Sequence, residues 1–338
     1  MIEKRELPFV EPPIRFSPSI DYFLSLVSLN IDKTLPWILE NYIDVVFNKT
    51  KGSNYFVMEF LDIYKLWWNC PFINVSRIPR RIVETGTIVE FVKTLIDNEL
   101  YVMLIIDTFY IPEYTTYRKE HLAHEIFIYG YDSECLLVSD YFDFLLPKRK
   151  KIRFSDLSNG YNFLDRNEKD YLCGIVTFEI NKDVILNGKP DVQFVNKTYV
   201  LDRMLLKTKI KAFLDSSPVV LASYPNEFDP CFGFQSGFNS FHSLVEVIDE
   251  DSYYLLRKPL VLLYDHIRIM EIRIEYLLGK ESFLDYKCKK VFEMCSIIKG
   301  VYIKGLLRNQ FEICKIRDLL NKLLLRYKDV IVELYNLI

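Results

Sequence analysis

The residues with the clearest chemical potential are His124 and Asp140, which flank two β-rich runs, Glu125–Tyr131 and Leu136–Tyr141. Asp132-Ser-Glu-Cys135 separates the runs and carries turn residues, so together they predict a β-hairpin. A turn centred near Asp132 puts His124 and Asp140 roughly opposite each other on adjacent antiparallel strands, with their side chains on one face. An imidazole held against a carboxylate is two thirds of a catalytic triad, the acid fixing the tautomer of the base. The other reading of His124 is a satisfied structural histidine. His121 stands three residues earlier, and such a pair invites a metal. No third and fourth ligand follow at a sensible spacing, so no metal is expected, and His121 reads as a loop residue near the mouth of a site.

The hairpin needs a sheet to hold it. Leu100–Ile106 is a short apolar run bounded by Asp107, which suits an interior strand, and Tyr171–Ile180 has the alternation of the last strand. Thr87–Glu99 has helical spacing at Ile88, Phe91, Val92 and Leu95, and Ser155 starts a helix that runs to about Leu164. Upstream, Pro8, Pro12, Pro13 and Pro18 forbid a helix and predict an extended arm. A helix follows with Ser19 as candidate N-cap, then a second over Thr34–Phe47 with Pro36 in its first turn. Residues 52–84 read as a strand and an irregular connection. Within them, Trp67 and Trp68 either line an acyl or aromatic-substrate pocket or pack between layers. Cys70 reads as a buried free thiol. Lys148-Arg-Lys-Lys151 reads as a solvated turn, or as a dock for an acidic partner.

After Asn181–Asn196, where Gly188, Pro190 and polar residues cluster, strands give way to helices. Thr198–Leu214 is the first. Ser216–Gly237 is irregular and carries Cys231, with His242 eleven residues on; without a helix signal or an acid partner this is not read as a second thiol site. Three long helices close the chain, about Pro259–Leu278, Ser282–Arg308 and Gln310–Leu337, each with an apolar stripe that predicts a bundle. Asp265-His266 reads as a polar pair on the solvent side of its helix and not as a site of chemistry. The expected organisation is an α+β domain over 1–185 and a mainly α-helical domain over 196–338.

With 338 residues, half of them hydrophobic and 15% aromatic, the chain can bury two cores. A net charge of −3 gives no reason to expect nucleic acid as a partner. Seven cysteines, no CxxC and no leader predict a reduced, cytoplasmic setting. No run approaches the roughly 20 apolar residues of a membrane span, so no membrane is expected.

Asp107-Thr-x-Tyr-x-Pro112, His124 opening a strand, Tyr129-Gly130-Tyr131-Asp132 and Asp140 closing the next strand together resemble the papain-like fold. The nearest variants are the C39-type peptidases and the N-terminal domain of the butirosin biosynthesis protein H family. The resemblance is good over residues 100–142 and extends over 1–180. It implies a papain-like cysteine-peptidase-type domain with a central antiparallel sheet. It also implies an acyltransferase of a nonribosomal peptide or aminoglycoside type of pathway. Such an enzyme acts on a carrier-protein or CoA thioester, with an amine acceptor. The implied partners are an acyl or peptidyl carrier protein and a small-molecule amine. No cofactor is implied beyond the phosphopantetheine of the carrier substrate, and a homo-oligomer is left open. His124 would be the base, Asp140 its orienting acid, and Tyr22, Trp67, Trp68 and His121 the substrate contacts.

The family's nucleophilic cysteine opens the first long helix, where the dipole and the imidazole lower its pKa. Here no cysteine precedes Cys70, and Asp21 falls nearest that position, with Arg15 where an oxyanion-hole glutamine is expected. Asp21 is a first-turn acid, a replacement for the cysteine in a pseudoenzyme acting as a binding or scaffold protein, or itself a nucleophile or base. A shifted register would offer Ser17, Ser19 or Ser25 instead.

Overall fold

Every residue of Tyr101–Asp107 is buried, as an unbroken apolar run of strand length demands. This strand is central in a seven-stranded antiparallel sheet. The order is Ile73–Ile78, Ile175–Ile180, Tyr101–Asp107, Ala123–Tyr131, Cys135–Asp140, Lys148–Arg153, and Arg5–Glu6 pairs with the far end of Ala123–Tyr131. The structure is a computed structural model that describes residues 4–49, 55–61, 63–83, 87–143, 147–164, 172, 174–188, 194–195, 198–217 and 235–338.

The predicted hairpin forms, closed by Asp132 N donating to Cys135 O at 2.8 Å. A bulge between Ile128 and Gly130 shifts its register. Gly130 is required there because a Cβ would lie 2.5 Å from the carbonyl oxygen of Arg5, where the N-terminal strand crosses. The basic cluster forms the edge strand Lys148–Arg153 and not a turn. Charged side chains on an edge oppose pairing with a further strand.

The prolines do produce an extended arm, and because proline offers no N–H the arm is tied by donors from the sheet. Tyr101 Oη donates to Pro8 O at 2.5 Å, Arg149 to Phe9 O at 2.9 Å and Tyr141 Oη to Arg15 O at 2.8 Å. Pro18 belongs to the first helix, Pro18–Val27, and not to the arm: with Ser17 as N-cap it occupies the first helical position, where a missing N–H costs nothing. Ser19 is therefore inside the helix. The helix Ile31–Asn41 starts earlier than expected, carries Pro36 internally, and ends before the strand Val45–Lys49. Residues 52–84 contain the strands Phe56–Phe60 and Ile73–Ile78 and the helix Ile63–Asn69.

The chain divides into two units, residues 1–32 with 64–189 and residues 33–63 with 190–338. The first is the sheet with the helices Pro18–Val27, Ile63–Asn69, Ile88–Asp97, Phe154–Asn162 and Lys182–Asn187. The second is helical, built on Arg203–Asp215, Asn239–Glu246, Arg257–Leu278, Phe283–Arg308 and Ile313–Leu337, with a three-stranded sheet of Gln235–Ser236, Val45–Lys49 and Phe56–Phe60. The architecture is thus mixed α and β, with a large antiparallel sheet and a C-terminal helical region. Residues 33–63, read from sequence with the first domain, belong with the second unit for a specific reason. The last carbonyls of the Ile31–Asn41 helix and its exit need donors. Arg273 supplies them to Leu39 O at 2.7 Å and Tyr42 O at 3.0 Å, and His266 Nε2 lies 2.7 Å from Ile43 O. His266 is fully buried and Asp265 nearly so, which corrects the expectation that this pair is exposed to solvent. Among the described residues no helix is long and apolar enough to cross a membrane.

Candidate functional site

Phe127 pairs with Ser139, so Asp140 comes opposite Ile126 and His124 becomes its diagonal neighbour. The expected pair is nevertheless brought together: His124 Nε2 lies 3.3 Å from Asp140 Oδ1. Asp140 is fully buried, and its carboxylate is held from three sides. Tyr22 donates to Oδ1, Tyr114 donates to Oδ2, and the backbone N–H of Tyr141 donates to Oδ1 at 2.6 Å. Tyr22 comes from the first helix, its ring stacked 5.0 Å from Phe127. Burial and the adjacent Asp140 charge push its phenol well above its usual range, so it stays a neutral donor. Tyr114 also lies edge-on to the His124 ring at 5.9 Å. Nothing in the sequence singled out Tyr114; a loop tyrosine carries no periodicity.

The other imidazole nitrogen decides what this cluster can do. His124 Nδ1 lies 3.6 Å from Glu125 Oε2, and Ser19 Oγ donates to Glu125 Oε1 at 3.2 Å. Glu125, bonded to Ser19, and Phe127, stacked on Tyr22, both meet the first helix. The strand side chain that reaches the first turn of the helix is therefore Glu125. The His124 side chain is 15% exposed, so the cluster keeps a narrow opening to solvent.

Asp21 is buried in the wall of a cavity of about 140 Å³, with Arg15, Ser25, Ser139, Lys148 and Arg149 among its neighbours. The helix side chains that reach the His124 cluster are Ser19 and Tyr22. The other expected substrate contacts part company. Trp67 is a core residue, 5.4 Å from Phe178 and 6.1 Å from Phe23, while Trp68 is exposed. Tyr22, fully buried, serves Asp140 and offers no surface to a substrate. His121 is in a loop and 52% exposed, with Nδ1 2.7 Å from Asp107 Oδ2 and its ring stacked on Phe109 at 4.1 Å. It forms a second histidine–carboxylate pair that the spacing of His121 and His124 did not suggest.

The basic strand is engaged within the chain. Lys148 pairs with Asp143 at 2.6 Å, Lys151 with Asp132 at 2.7 Å, and Lys150 donates to Glu113 O at 3.0 Å. Asp132, with Lys151 and two backbone N–H groups on its carboxylate, is held down at about 2. Cys70, Cys288 and Cys295 are buried. Burial pushes the thiols of Cys288 and Cys295 up to about 12, which keeps them protonated and unreactive. Cys231, weighed with His242, lies outside the described residues. In the second unit Glu271, Glu275 and Asp285 converge within 4.8 Å, the one described group that could hold a cation. Lys289, 2.7 Å from Asp285, and Arg268, 2.5 Å from Glu271, already compensate these charges. No family model matches the chain, and no curated protein matches it.

Proposed function

We propose that the first unit is a papain-like domain, similar to the butirosin biosynthesis protein H family, that binds instead of catalysing. It would serve as a binding or scaffold protein in a secondary-metabolite pathway of the nonribosomal peptide or aminoglycoside type. One observation carries this reading. Of the two nitrogens of His124, Nε2 faces Asp140 and Nδ1 faces Glu125, so the position from which a general base would take a nucleophile's proton is met by a carboxylate. Tyr22 and Tyr114 on Asp140 turn the remainder of a triad into a clasp between the first helix, a loop and two strands.

A second reading, an acyltransferase, draws on Ser19. Its hydroxyl would attack a carrier-protein or CoA thioester, the proton passing through Glu125 toward His124, and the C–S bond would break to release the thiol. An amine would then take the acyl group from the Ser19 oxygen. The contact of Ser19 with Glu125, 3.2 Å, is the observation that favours it.

The test is release of free thiol from simple acyl thioesters with an added amine, by wild type, Ser19→Ala, His124→Ala and Asp21→Cys. The binding reading expects the rate of the protein-free blank for all four, including Asp21→Cys, whose thiol would stand in a separate cavity away from His124. Amine-dependent release by the wild type that disappears in Ser19→Ala and His124→Ala would replace it with the acyltransferase.

A further inference from the structure

The strand Lys148–Arg153 is one edge of the large sheet, and five of its six residues are basic. The neighbouring turn fixes which of its backbone groups are already bonded. Phe154 N donates to Glu134 O at 3.1 Å and Asp132 N to Cys135 O at 2.8 Å, and antiparallel bonds alternate from there. Lys148, Lys150 and Ile152 therefore bond inward, to Asp140, Val138 and Leu136, and Arg149, Lys151 and Arg153 turn their N–H and C=O groups outward. Among the described residues no backbone hydrogen bond is made on that outer side. The side-chain charges are only partly matched. Lys148 and Lys151 have Asp143 and Asp132 as partners. Arg149 and Lys150 donate to the carbonyls of Phe9 and Glu113, which cancels neither charge, and Arg153 forms no ion pair among the described residues. Lys150 and Arg153 act on the Glu113 carboxyl without pairing with it. A shallow depression beside the strand, lined by Tyr129 and Leu137, adds Lys4 to the cations and Glu6 as its one acid.

We infer that this edge is a docking site for an extended acidic peptide segment of a partner protein, added to the sheet as a further strand. Outward N–H and C=O groups are a template for such addition, and the main chain of the incoming segment supplies the bonds whatever its sequence. Charge then selects the occupant. A second copy of this strand would set Lys and Arg opposite Lys and Arg, and like charges directly opposite are destabilising. Glu or Asp on the incoming strand reverses the sign of that interaction at Arg149, Lys150 and Arg153. The charges that bar a basic strand thus admit an acidic one. The opposite edge of the sheet, Ile73–Ile78, carries one charged residue, Arg77, and offers no such selection. At about 3.4 Å per residue the basic strand spans about 20 Å, so a segment of about seven residues covers it.

This inference names a partner class for the binding reading and rests on it, but its test contains no thioester, so the two can fail separately. A fluorescein-labelled peptide, Glu-Thr-Glu-Val-Glu-Thr-Glu, is titrated with the full chain and followed by anisotropy. Two further probes are the same peptide with Lys for every Glu, and the acidic peptide N-methylated at every residue, which keeps the charge and loses the donors. The expected result is saturable binding of the acidic peptide, weaker by about tenfold or more for the other two. Lys151→Pro deletes one outward N–H and spares the inward bonds, since an edge strand tolerates proline where its N–H faces solvent. It is expected to bind the acidic peptide about tenfold more weakly than Lys151→Ala, which loses the same ammonium. No binding at millimolar peptide, equal binding of the lysine or the N-methylated peptide, or equal affinity in Lys151→Pro and Lys151→Ala would each overturn the assignment. A dimer of the chain alone, seen by sedimentation and abolished in Lys151→Pro, would overturn it too, by giving the edge to a second copy.

Discussion

Two histidines of this chain, His266 and His124, are each flanked by polar groups on both ring nitrogens, and they do opposite things. In the second unit His266 is fully buried, with Nδ1 2.6 Å from Tyr327 Oη and Nε2 2.7 Å from Ile43 O. Both nitrogens meet neutral groups, and burial pushes its pKa down to about 3, so it stays uncharged. Its neighbour Arg273, also fully buried, is a donor to helix-end carbonyls, and burial lowers even this guanidinium to about 10. In the first unit His124 is partly open, and each nitrogen faces a carboxylate. The first cluster completes the backbone of a core. The second sits beside a surface, arranged around charge. A histidine's neighbours, neutral or ionised, thus say more about its role than its burial or its spacing in the chain.

The contrast can be broken most directly through Arg273. Arg273→Ala strands the carbonyls of Leu39 and Tyr42 and opens a void, and is expected to cost about 3–5 kcal/mol, read by urea unfolding with hydrogen exchange over the helices of the second unit. His266→Ala removes two buried hydrogen bonds and should cost about 2–4 kcal/mol in the same measurement. Acid sharpens the point. Because the folded pKa of His266, about 3, lies below its ordinary 6.5, the unfolded chain binds the proton first. The second unit should lose stability as the pH falls below about 6.5 by at most about 1.4 kcal/mol per unit, reaching about 2 kcal/mol near pH 5. His266→Gln should flatten that slope in pH-dependent melting. In the first unit Tyr114→Phe deletes one donor to a buried carboxylate, with an expected loss of about 1–2 kcal/mol on chemical unfolding. His124→Ala should cost under about 1 kcal/mol, since its side chain keeps solvent contact and its carboxylate contacts are long, 3.3 and 3.6 Å. If His124→Ala destabilised the chain as much as His266→Ala, the two clusters would have to be assigned the same structural role.

Much of the fold was legible because its signals are local. The alternation of Glu125–Tyr131 and Leu136–Tyr141, the burial of Leu100–Ile106 and the stripes of the last three helices each follow from a period that neighbouring residues display. His124 and Asp140 were legible as a pair for the same reason, a short turn between two strands. Their surroundings were not. Tyr114 and Glu125 carry no motif, and a one-residue step along a strand turns a side chain to the other face. Tyr22 of the first helix, not Asp21 one residue before it, meets the His124–Asp140 pair, and Asp21 lines a separate cavity.

The sequence by itself determined the strands, the helices, the hairpin and the meeting of an imidazole with a carboxylate, because these depend on contacts within a few residues or across one turn. Tertiary structure decided what those groups face. The carbonyls of Leu39, Tyr42 and Ile43 are capped from a helix more than two hundred residues away, and the carboxylate of Asp140 is claimed by tyrosines from a helix and a loop. Hydrogen bonds and charges act over a few ångströms whatever the distance along the chain, so only the folded chain assigns their partners.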